Sequence, residues 1–429
     1  MTIQKLAGKQ RESVHLATAR GNLWEGSVRS SKTVSSIVRW LRYVRQGPLG
    51  PLLMVGKTER TLKRNIIDPI TEMVGTSRCR YRTGAGELDL FGRMIYTAGA
   101  NDERAAEKIK GLTLAGAYAD EVTTYPESFW SMLMTRLSVE GAQWFGTTNP
   151  EGRNHWLKRD YLDRAALHLT RNGQILRTSG DETLDLHRFS FQLDDNPYLP
   201  DDYVEALKRE HVGLFYKRYI LGEWVAAEGA IYDMWDDDKH VVDTLPPIVR
   251  WPGIGVDYGT TNPFSGLLLG VGADRRLYLA SEYRYDSRAK RRAMTDAEYA
   301  TALRTWVRGA APLAGLHPEW TVIDPSAASF ITQLFREQWP GVTQAANDVL
   351  PGIRTVGTLL GNDQLRVHAS CRGWIDEVSG YSWDPKATAK GLDQPLKQDD
   401  HSMDAGRYGI YTTEALWRPH IPTLLEVAA

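Results

Sequence analysis

The sequence is poor in the features that would place it in an oxidising compartment or a membrane. It contains two cysteines, Cys79 and Cys371, too few for a disulfide framework and compatible with a reducing compartment. It has neither a secretory leader nor an apolar run of 18 residues, so we expect a cytoplasmic protein with no membrane partner. The formal net charge of −1 leaves no overall basic excess, so any contact with nucleic acid must come from local patches.

Length and composition favour a globular protein with more than one core. A chain of 429 residues is long for a single domain, and its 42% hydrophobic and 24% charged residues are ordinary for folded proteins. We find no internal repeat and no low-complexity tract. Two domains are therefore the expected organisation.

The most informative motif lies near the N-terminus, where a short strand runs into EGSVRSSKT at residues 25–33. This stretch approximates the phosphate-binding motif G-x-x-x-x-G-K-[ST], whose backbone N–H groups surround phosphates while its lysine and hydroxyl bind phosphate and Mg²⁺. Gly26, Lys32 and Thr33 match the motif, whereas Ser31 replaces its second glycine. The apolar residues that follow recur at helical spacing, which predicts a helix N-terminus behind the loop. An ordinary strand–turn–helix with a surface lysine is the alternative.

Alternating strands and helices from residue 51 to residue 146, among them one strand at residues 90–97, predict a largely parallel sheet with helices on both faces. Further along the chain, a helix is predicted at residues 201–221. One strand ends in Asp120 and Glu121, adjacent carboxylates that suit Mg²⁺ binding and polarisation of an attacking water. Another ends in Thr148 and Asn149, which could sense a γ-phosphate because ligands gather at the carboxyl ends of parallel strands. Taken alone, each pair also fits a solvated turn or a helix cap.

The second half, from about residue 253, predicts a different sheet. Three strands joined by short loops predict an antiparallel meander, and a helix and a further strand follow, as in RNase H-like domains. An amphipathic helix comes next, with Phe330, Ile331, Leu334 and Phe335 on one apolar face. Asp257 lies in the first strand, Asp324 ends the later strand, and Asp400 and Asp404 lie one turn apart at the start of a helix. Together, with His401 beside them, they could hold two Mg²⁺ or Mn²⁺ ions for phosphodiester cleavage. For any one of these aspartates taken alone, a turn or a cap is the better explanation.

A dense basic cluster follows the third strand of this meander and consists of Arg284, Arg288, Lys290, Arg291 and Arg292. Such a cluster can bind phosphates without sequence specificity, and it is equally typical of a solvated loop.

The two sets of motifs resemble those of one family, the large terminase subunits of tailed bacteriophages. GSVRSSKT, AYADE and GTTNPEGRNHWL resemble its Walker A, Walker B and coupling motifs. VDYG, VIDPSA and DDHSMDAGRY resemble the three acidic motifs of its nuclease. The resemblance covers nearly the whole chain and implies an α/β protein: a P-loop NTPase domain with a largely parallel sheet, followed by an RNase H-like nuclease domain with a mixed sheet.

The resemblance also implies the roles of individual residues in the first half. The ATP-binding residues are then Gly26, Arg29, Ser31, Lys32, Thr33 and Asp120. Glu121 becomes the catalytic base, and Thr148 and Asn149 couple ATP hydrolysis to DNA movement. An arginine finger is expected shortly before Walker B, where the chain offers only lysines; the candidates are Lys108, Lys110, Arg104 and Arg136.

In the second half, the resemblance makes Asp257, Asp324 and Asp404 catalytic and metal-binding, with Asp400 as a further metal ligand. Asp404 is favoured over Asp400 as the third carboxylate because the family's D-A-x-R-Y motif has its aspartate there. The expected boundaries are 1–180 for the ATPase, 181–250 for a lid and linker, and 251–429 for the nuclease.

The implied function is an ATP-driven motor in the host cytoplasm that packages double-stranded viral DNA into proheads and cuts concatemeric DNA. The implied partners are double-stranded DNA, a small terminase subunit, the portal protein and further copies of the chain in a ring. The implied cofactors are ATP and Mg²⁺, or Mn²⁺ in the nuclease. Two alternatives are a helicase or repair-type P-loop ATPase fused to a nuclease, whose further helicase motifs we do not find, and a non-catalytic assembly protein of the same fold.

Overall fold

The computed structural model describes residues 5–259, 262–309 and 318–421. The chain forms two compact units: Met1–Leu199 with Tyr216–Ala226, and Pro200–Phe215 with Ala227–Ala429. None of the helices within the described ranges is long and apolar enough to cross a membrane.

The first unit is built on a ten-stranded sheet with the order β3-β4-β5-β2-β6-β7-β1-β10-β8-β9. Its strands are β1 Gly21–Gly26, β2 Leu52–Gly56, β3 Cys79–Arg82, β4 Glu87–Leu90, β5 Arg93–Gly99, β6 Gly116–Ala119, β7 Gln143–Thr148, β8 Ala165–Leu169, β9 Ile175–Arg177 and β10 Leu184–Phe191. The strands from β5 to β8 in this order pair in parallel, and antiparallel pairs occur at the two edges. The predicted largely parallel sheet is confirmed.

Helices cover both faces of this sheet, as buried parallel strands require. They are α1 Gly8–Leu16, α2 Lys32–Gln46, α3 Glu59–Leu62, α4 Asp68–Val74, α5 Glu127–Arg136 and α6 Trp156–Asp160. A π-helical turn, Lys63–Ile67, joins α3 to α4, and 3₁₀ turns occur at Glu103–Ile109, Val122–Thr124, Leu162–Arg164 and Leu193–Asp195. One apolar core contains Trp40 of α2 and the other contains Trp130 of α5.

Two predicted elements of the first half differ in the structure. The predicted strand at residues 90–97 is a hairpin, because Phe91 and Gly92 take left-handed conformations that turn the chain between β4 and β5. The predicted helix at residues 201–221 is interrupted at His211 and Val212, just before the left-handed Gly213, and forms α7 Asp201–Glu210 and α8 Gly213–Tyr219.

The chain also divides differently from the expected boundaries at 180 and 250. Residues 184–191 form β10, which pairs with β1 and β8 inside the first sheet. Residues 241–242 form β11, which pairs with a strand of the second sheet. Because both segments complete a sheet by pairing with strands far away in sequence, residues 181–250 do not form a body of their own.

The second unit contains a seven-stranded sheet with the order β11-β17-β14-β13-β12-β15-β16. Its strands are β11 Val241–Val242, β12 Ile248–Asp257, β13 Phe264–Gly272, β14 Leu277–Tyr285, β15 Trp320–Ile323, β16 Val342–Gln344 and β17 Leu365–His368. Strands β12, β13 and β14 form the predicted antiparallel meander, and β15 pairs in parallel with β12. This mixed sheet agrees with the predicted RNase H-like arrangement.

The remaining helices pack around the second sheet. They are α9 Asp237–His240, α10 Asp296–Gly309, α11 Ala328–Arg336, α12 Val349–Gly361, α13 Arg372–Val378, α14 Pro385–Ala389, α15 His401–Thr412 and α16 Glu414–Trp417, with a 3₁₀ turn at Arg418–His420. In α11, Phe330, Ile331 and Leu334 are buried as predicted, but Phe335 is 60% exposed. Phe335 lies about 100° further round the helix than Leu334, at the edge of the apolar stripe.

Candidate active sites

The predicted phosphate loop connects β1 to α2, and its first glycine is required by a close backbone approach. Gly26 has φ 138°, and a Cβ built there would lie 1.9 Å from the carbonyl oxygen of Phe191 on neighbouring β10. An L side chain fits neither this dihedral nor this space. The loop can therefore begin its turn only at a glycine.

Two residues later in the loop adopt left-handed conformations although they are not glycines. Arg29 has φ 57° and Ser31 has φ 66°. The Asn196 side-chain amide donates a 2.7 Å hydrogen bond to the Arg29 carbonyl oxygen. Ser31 is the N-cap residue of α2, so it takes the left-handed conformation at the point where the motif has its second glycine. The serine reproduces the shape of the loop at some conformational cost.

Lys32 lies at the centre of this site. Its Nζ donates to the Ser27 carbonyl oxygen at 2.8 Å and to Asn149 Oδ1 at 2.7 Å. Burial lowers the pKa of Lys32 to about 8, against the opposing effect of the negative charges on Glu121 and Asp120. The structure thus brings the phosphate loop, the predicted carboxylate pair and the predicted coupling residue together.

Asp120 follows β6 directly and is almost fully buried. Its carboxylate accepts hydrogen bonds from Thr147 Oγ1 at 2.7 Å and from Asn65 Nδ2 at 3.4 Å. Burial, reinforced by the adjacent Glu121 carboxylate, raises the pKa of Asp120 to about 6. A cation bound beside Asp120 would therefore stabilise the charged form of its carboxylate.

Threonines at the end of β7 hold the carboxylate pair, which explains part of the predicted coupling segment. Strand β7 pairs with β6, so Thr147 Oγ1 also accepts a 3.2 Å hydrogen bond from the Glu121 backbone N–H. Thr148 Oγ1 lies 2.8 Å from Thr123 Oγ1. Sequence reasoning missed Thr147, Asn65 and Thr123 as neighbours of this site. The two adjacent threonines of the GTTN segment are the local sequence signal that could have indicated Thr147 as a neighbour of the carboxylates.

A cleft of about 580 Å³ opens over the loop. The predicted residues Arg29, Ser31, Lys32 and Thr33 line one side of it. The remaining lining residues were not predicted and include Gln10, Pro69, Glu72, Met73, Asn196 and Tyr198. They come from three distant parts of the chain, so no local pattern marks them.

The predicted acidic residues of the second unit line a separate cleft of about 550 Å³. Asp257 ends β12 and Asp324 directly follows β15, and because these strands are parallel neighbours their carboxyl ends lie at one edge. Asp404 lies in α15, which packs so closely on β12 that a Cβ at Gly255 would lie 1.9 Å from the Ala405 carbonyl oxygen. Gly255, which directly precedes the VDYG motif in β12, therefore lets α15 bring Asp404 to the cleft.

Each of these carboxylates already has a partner within the unit. Asp257 Oδ2 lies 2.9 Å from His401 Nδ1, and Asp324 Oδ2 accepts a 2.8 Å hydrogen bond from the Tyr408 hydroxyl. Burial raises the pKa of Asp257, and the negative charges of Asp404 and Asp324 add to this effect. The hydrogen bond to Asp257 raises the pKa of His401. The aspartates are thus close enough to influence one another.

Asp404 has the opposite electrostatic balance. Burial would raise its pKa, but Arg407 and Lys397 outweigh burial and lower it. Arg407 donates to Asp404 Oδ1 and Lys397 donates to Asp404 Oδ2, both at 2.8 Å. Arg407 and Lys397 therefore favour the charged form of Asp404.

The acidic cleft has the donor chemistry for a divalent cation but not a preformed coordination site. No three acidic, histidine or cysteine side chains converge to metal-binding distances anywhere in the described ranges. The donor chemistry nevertheless suits a hard cation, because aspartate oxygens line the cleft. Within the described part of the chain, buried Asp400 Oδ2 accepts no hydrogen bond. The ammonium of Lys397 lies 3.1 Å from this oxygen, so the position already attracts a cation.

The structure separates the members of the predicted basic cluster. Arg284 forms a 2.7 Å ion pair with buried Glu377 and hydrogen-bonds Ser402, so it supports the fold of the second unit. Arg288 lines the acidic cleft, and Arg292 pairs with Glu298 on the surface. A single phosphate-binding surface formed by all five residues does not exist, because Arg284 is used internally.

Comparisons with known proteins agree with this arrangement. A family model described as "Terminase large subunit, T4likevirus-type, N-terminal" matches residues 43–236. The large terminase of a thermophilic bacteriophage is 35% identical, with 96% of this chain and 100% of that chain covered and a TM-score of 0.82. The same thermophilic-phage protein in complex with ATP-γ-S is 34% identical, covers 95% and 99% of the two chains, and gives a TM-score of 0.79.

A curated relative gives the same family. The large terminase subunit of Escherichia phage T5 is 26% identical over 232 residues, which are 51% of this chain and 50% of the T5 protein. The match therefore spans about half the length of that relative. The thermophilic-phage terminase is covered along its whole length at 35% identity. From these similarities, the chain belongs to the family of phage large terminases.

Proposed function

We propose that this protein is an ATP-driven motor that packages double-stranded viral DNA into proheads and cuts concatemeric DNA with a metal-dependent endonuclease. The observation that carries the proposal is the convergence of Lys32, Asp120, Glu121 and Asn149 in one unit of a chain whose other unit has a cleft of aspartates. Family membership supports the same function. The expected partners are DNA, a small terminase subunit, the portal protein and other copies of the chain in a ring, all in the host cytoplasm.

At the nucleotide site, each residue has a separate role that follows from its charge and its position. Lys32 exchanges its bond with Asn149 for phosphate oxygens, which releases the Asn149 side chain and links phosphate binding to the end of β7. Gly26, Arg29 and Ser31 shape the loop around the phosphates, and Glu121 accepts a proton from the attacking water. A complex of the thermophilic-phage terminase with ATP-γ-S supports ATP as the nucleotide. Thr148 fixes the chain next to Asn149 by contacting Thr123.

Oxygen donors of the chain would hold metal ions in both sites. Thr33 and Asp120 would hold Mg²⁺ beside the phosphates, and Asp257, Asp324, Asp404 and Asp400 would hold Mg²⁺ or Mn²⁺ in the acidic cleft. When bound, these ions supply Lewis acidity that neutralises phosphate oxygens, activates water and stabilises the leaving oxygen. The chain itself holds the four aspartates in one cleft, with His401 and Tyr408 orienting Asp257 and Asp324.

Cleavage of a supercoiled plasmid in Mn²⁺ or Mg²⁺ tests the nuclease assignment. We expect the wild-type protein to cut and Asp324→Ala to lose cutting while it keeps its fold and its binding of ATP-γ-S. Asp376→Ala, which removes an exposed aspartate of the same unit, is the matched control and should cut normally. Equal cutting by Asp324→Ala and the wild type, or no cutting by the wild type in either metal, would overturn the assignment and favour the non-catalytic assembly protein.

A further inference from the structure

The acidic cleft of the second unit contains an ammonium group from the chain itself. Lys397 Nζ lies 3.1 Å from Asp400 Oδ2 and 2.8 Å from Asp404 Oδ2. The two aspartate side chains are only 8% and 9% exposed, whereas the lysine side chain is 62% exposed. A largely exposed side chain therefore places its charge between two buried carboxylates.

The surroundings of the two carboxylates show which oxygens the ammonium serves. Asp404 Oδ1 is occupied by Arg407, so Oδ2 is the oxygen that faces Lys397. Asp400 Oδ2 accepts no hydrogen bond within the described residues, although Lys397 Nζ is 3.1 Å away. The contact with Asp400 is thus an attraction between charges without a directed hydrogen bond. Two oxygens that share a cation in this way resemble half of an oxygen coordination shell.

We propose that Lys397 occupies the position of a divalent cation in the ion-free nuclease site and must move away before the metal binds. The inference rests on the proposed nuclease function. Lys397 contributes one positive charge where the metal contributes two, so it relieves the repulsion between Asp400 and Asp404 only in part. It is a positioning residue: it holds the carboxylates together without metal and competes with metal for them.

The position of Lys397 in the chain permits this exchange. It precedes α15, which carries both aspartates, in a segment whose exposed residues extend from Leu396 to Asp399. Its exposed alkyl chain can swing into solvent without opening the core. Asp400 and Asp404 remain fixed because the Asp404 N–H donates to the Asp400 carbonyl oxygen at 2.8 Å as the helix begins. Metal entry then requires a side-chain rotation and no refolding.

Binding of Mn²⁺ to the full-length protein, measured by isothermal titration calorimetry, tests the proposal without relying on cleavage. Lys397→Gln should bind Mn²⁺ on the order of tenfold more tightly than the wild type, because the competing charge is gone. Lys397→Arg, which keeps the charge, should bind no more tightly than the wild type. Lys390→Gln, an exposed lysine at the end of α14, is the matched control and should match the wild type.

Thermal unfolding gives a second readout. Without metal, Lys397→Gln should unfold at a lower temperature than the wild type, because Arg407 is then the one cation of the two that still offsets the charge of the buried carboxylates. Saturating Mn²⁺ should remove this difference. Asp324→Ala serves as the background control for the calorimetric titration: heat of Mn²⁺ binding that persists in this variant comes from sites outside the acidic cleft and is subtracted.

The outcomes separate this proposal from the nuclease assignment. Equal or weaker Mn²⁺ binding by Lys397→Gln, with clear binding by the wild type, would refute the role of Lys397 and leave the nuclease assignment standing. If neither protein binds Mn²⁺ in this cleft, both ideas fail. Binding by Lys397→Gln alone would support both.

Discussion

Replacing Ser31 by glycine should stabilise the first unit, because the structure places this serine in a glycine conformation. Its φ of 66° and ψ of 10° lie in the left-handed region, where a residue with a Cβ loses about 1–2 kcal/mol. Glycine adds about 0.4–1 kcal/mol of unfolded-state entropy, which opposes the gain. The expected net increase in the free energy of unfolding is about 0.5–1 kcal/mol.

Thermal unfolding with and without ATP-γ-S measures this effect in a protein of two units. The transition that the nucleotide raises is assigned to the first unit. In Ser31→Gly its midpoint should rise by roughly 2 °C, given the usual slope for a domain of this size. The Ser31 carbonyl oxygen still accepts the Ser35 N–H, since that bond belongs to the backbone.

Two control variants separate strain from other effects of glycine. Ser31→Ala keeps the Cβ and should give no increase in stability. Ser77→Gly, at an exposed turn outside the left-handed region, should lower stability by about 0.4–1 kcal/mol through unfolded-state entropy alone. If Ser31→Gly destabilises the first unit as much as Ser77→Gly does, the conformation of Ser31 is not strained and the reasoning is refuted.

Two further predictions concern the same unit. Gly26→Ala should lower the free energy of unfolding by about 3 kcal/mol in a denaturant titration, because its Cβ would meet the Phe191 carbonyl oxygen. Gly92→Ala, with open space around its Cβ, is the control and should lower it by about 1 kcal/mol. Equal losses in the two variants would contradict the clash at Gly26. Burial lowers the pKa of His168 to about 4 from 6.5, so the unfolded chain binds more protons in this window and stability falls as the pH drops from 6.5 to 4. Over that range the free energy of unfolding of the wild type should fall by about 1–2 kcal/mol more than that of His168→Gln, after allowance for solvent screening. His15→Gln is the control and should behave as the wild type. Parallel pH profiles for the wild type and His168→Gln would exclude this effect.

Local patterns in the sequence carried much of the fold and the chemical identity of both sites. The alternation of strands and helices, the loop ending in Lys32 and Thr33, and the carboxylates at strand ends are encoded by neighbouring residues, so periodicity and motif spacing indicate them. Asp120 and Asn149 were expected near the phosphate loop because parallel strands end at one edge of a sheet. The structure brings both to Lys32.

Only the tertiary structure decided which distant groups meet. Strand β10 lies between β1 and β8, and this non-local pairing moved the predicted boundary near residue 180. The sequence made Arg284 a candidate phosphate ligand, but its side chain forms an ion pair with Glu377. Lys397 contacts Asp400 and Asp404, which are its neighbours in sequence, but the burial of these two carboxylates depends on the fold. Sequence determines which groups are available and the local structure that carries them, whereas strand pairing and side-chain direction depend on contacts between residues far apart in the chain.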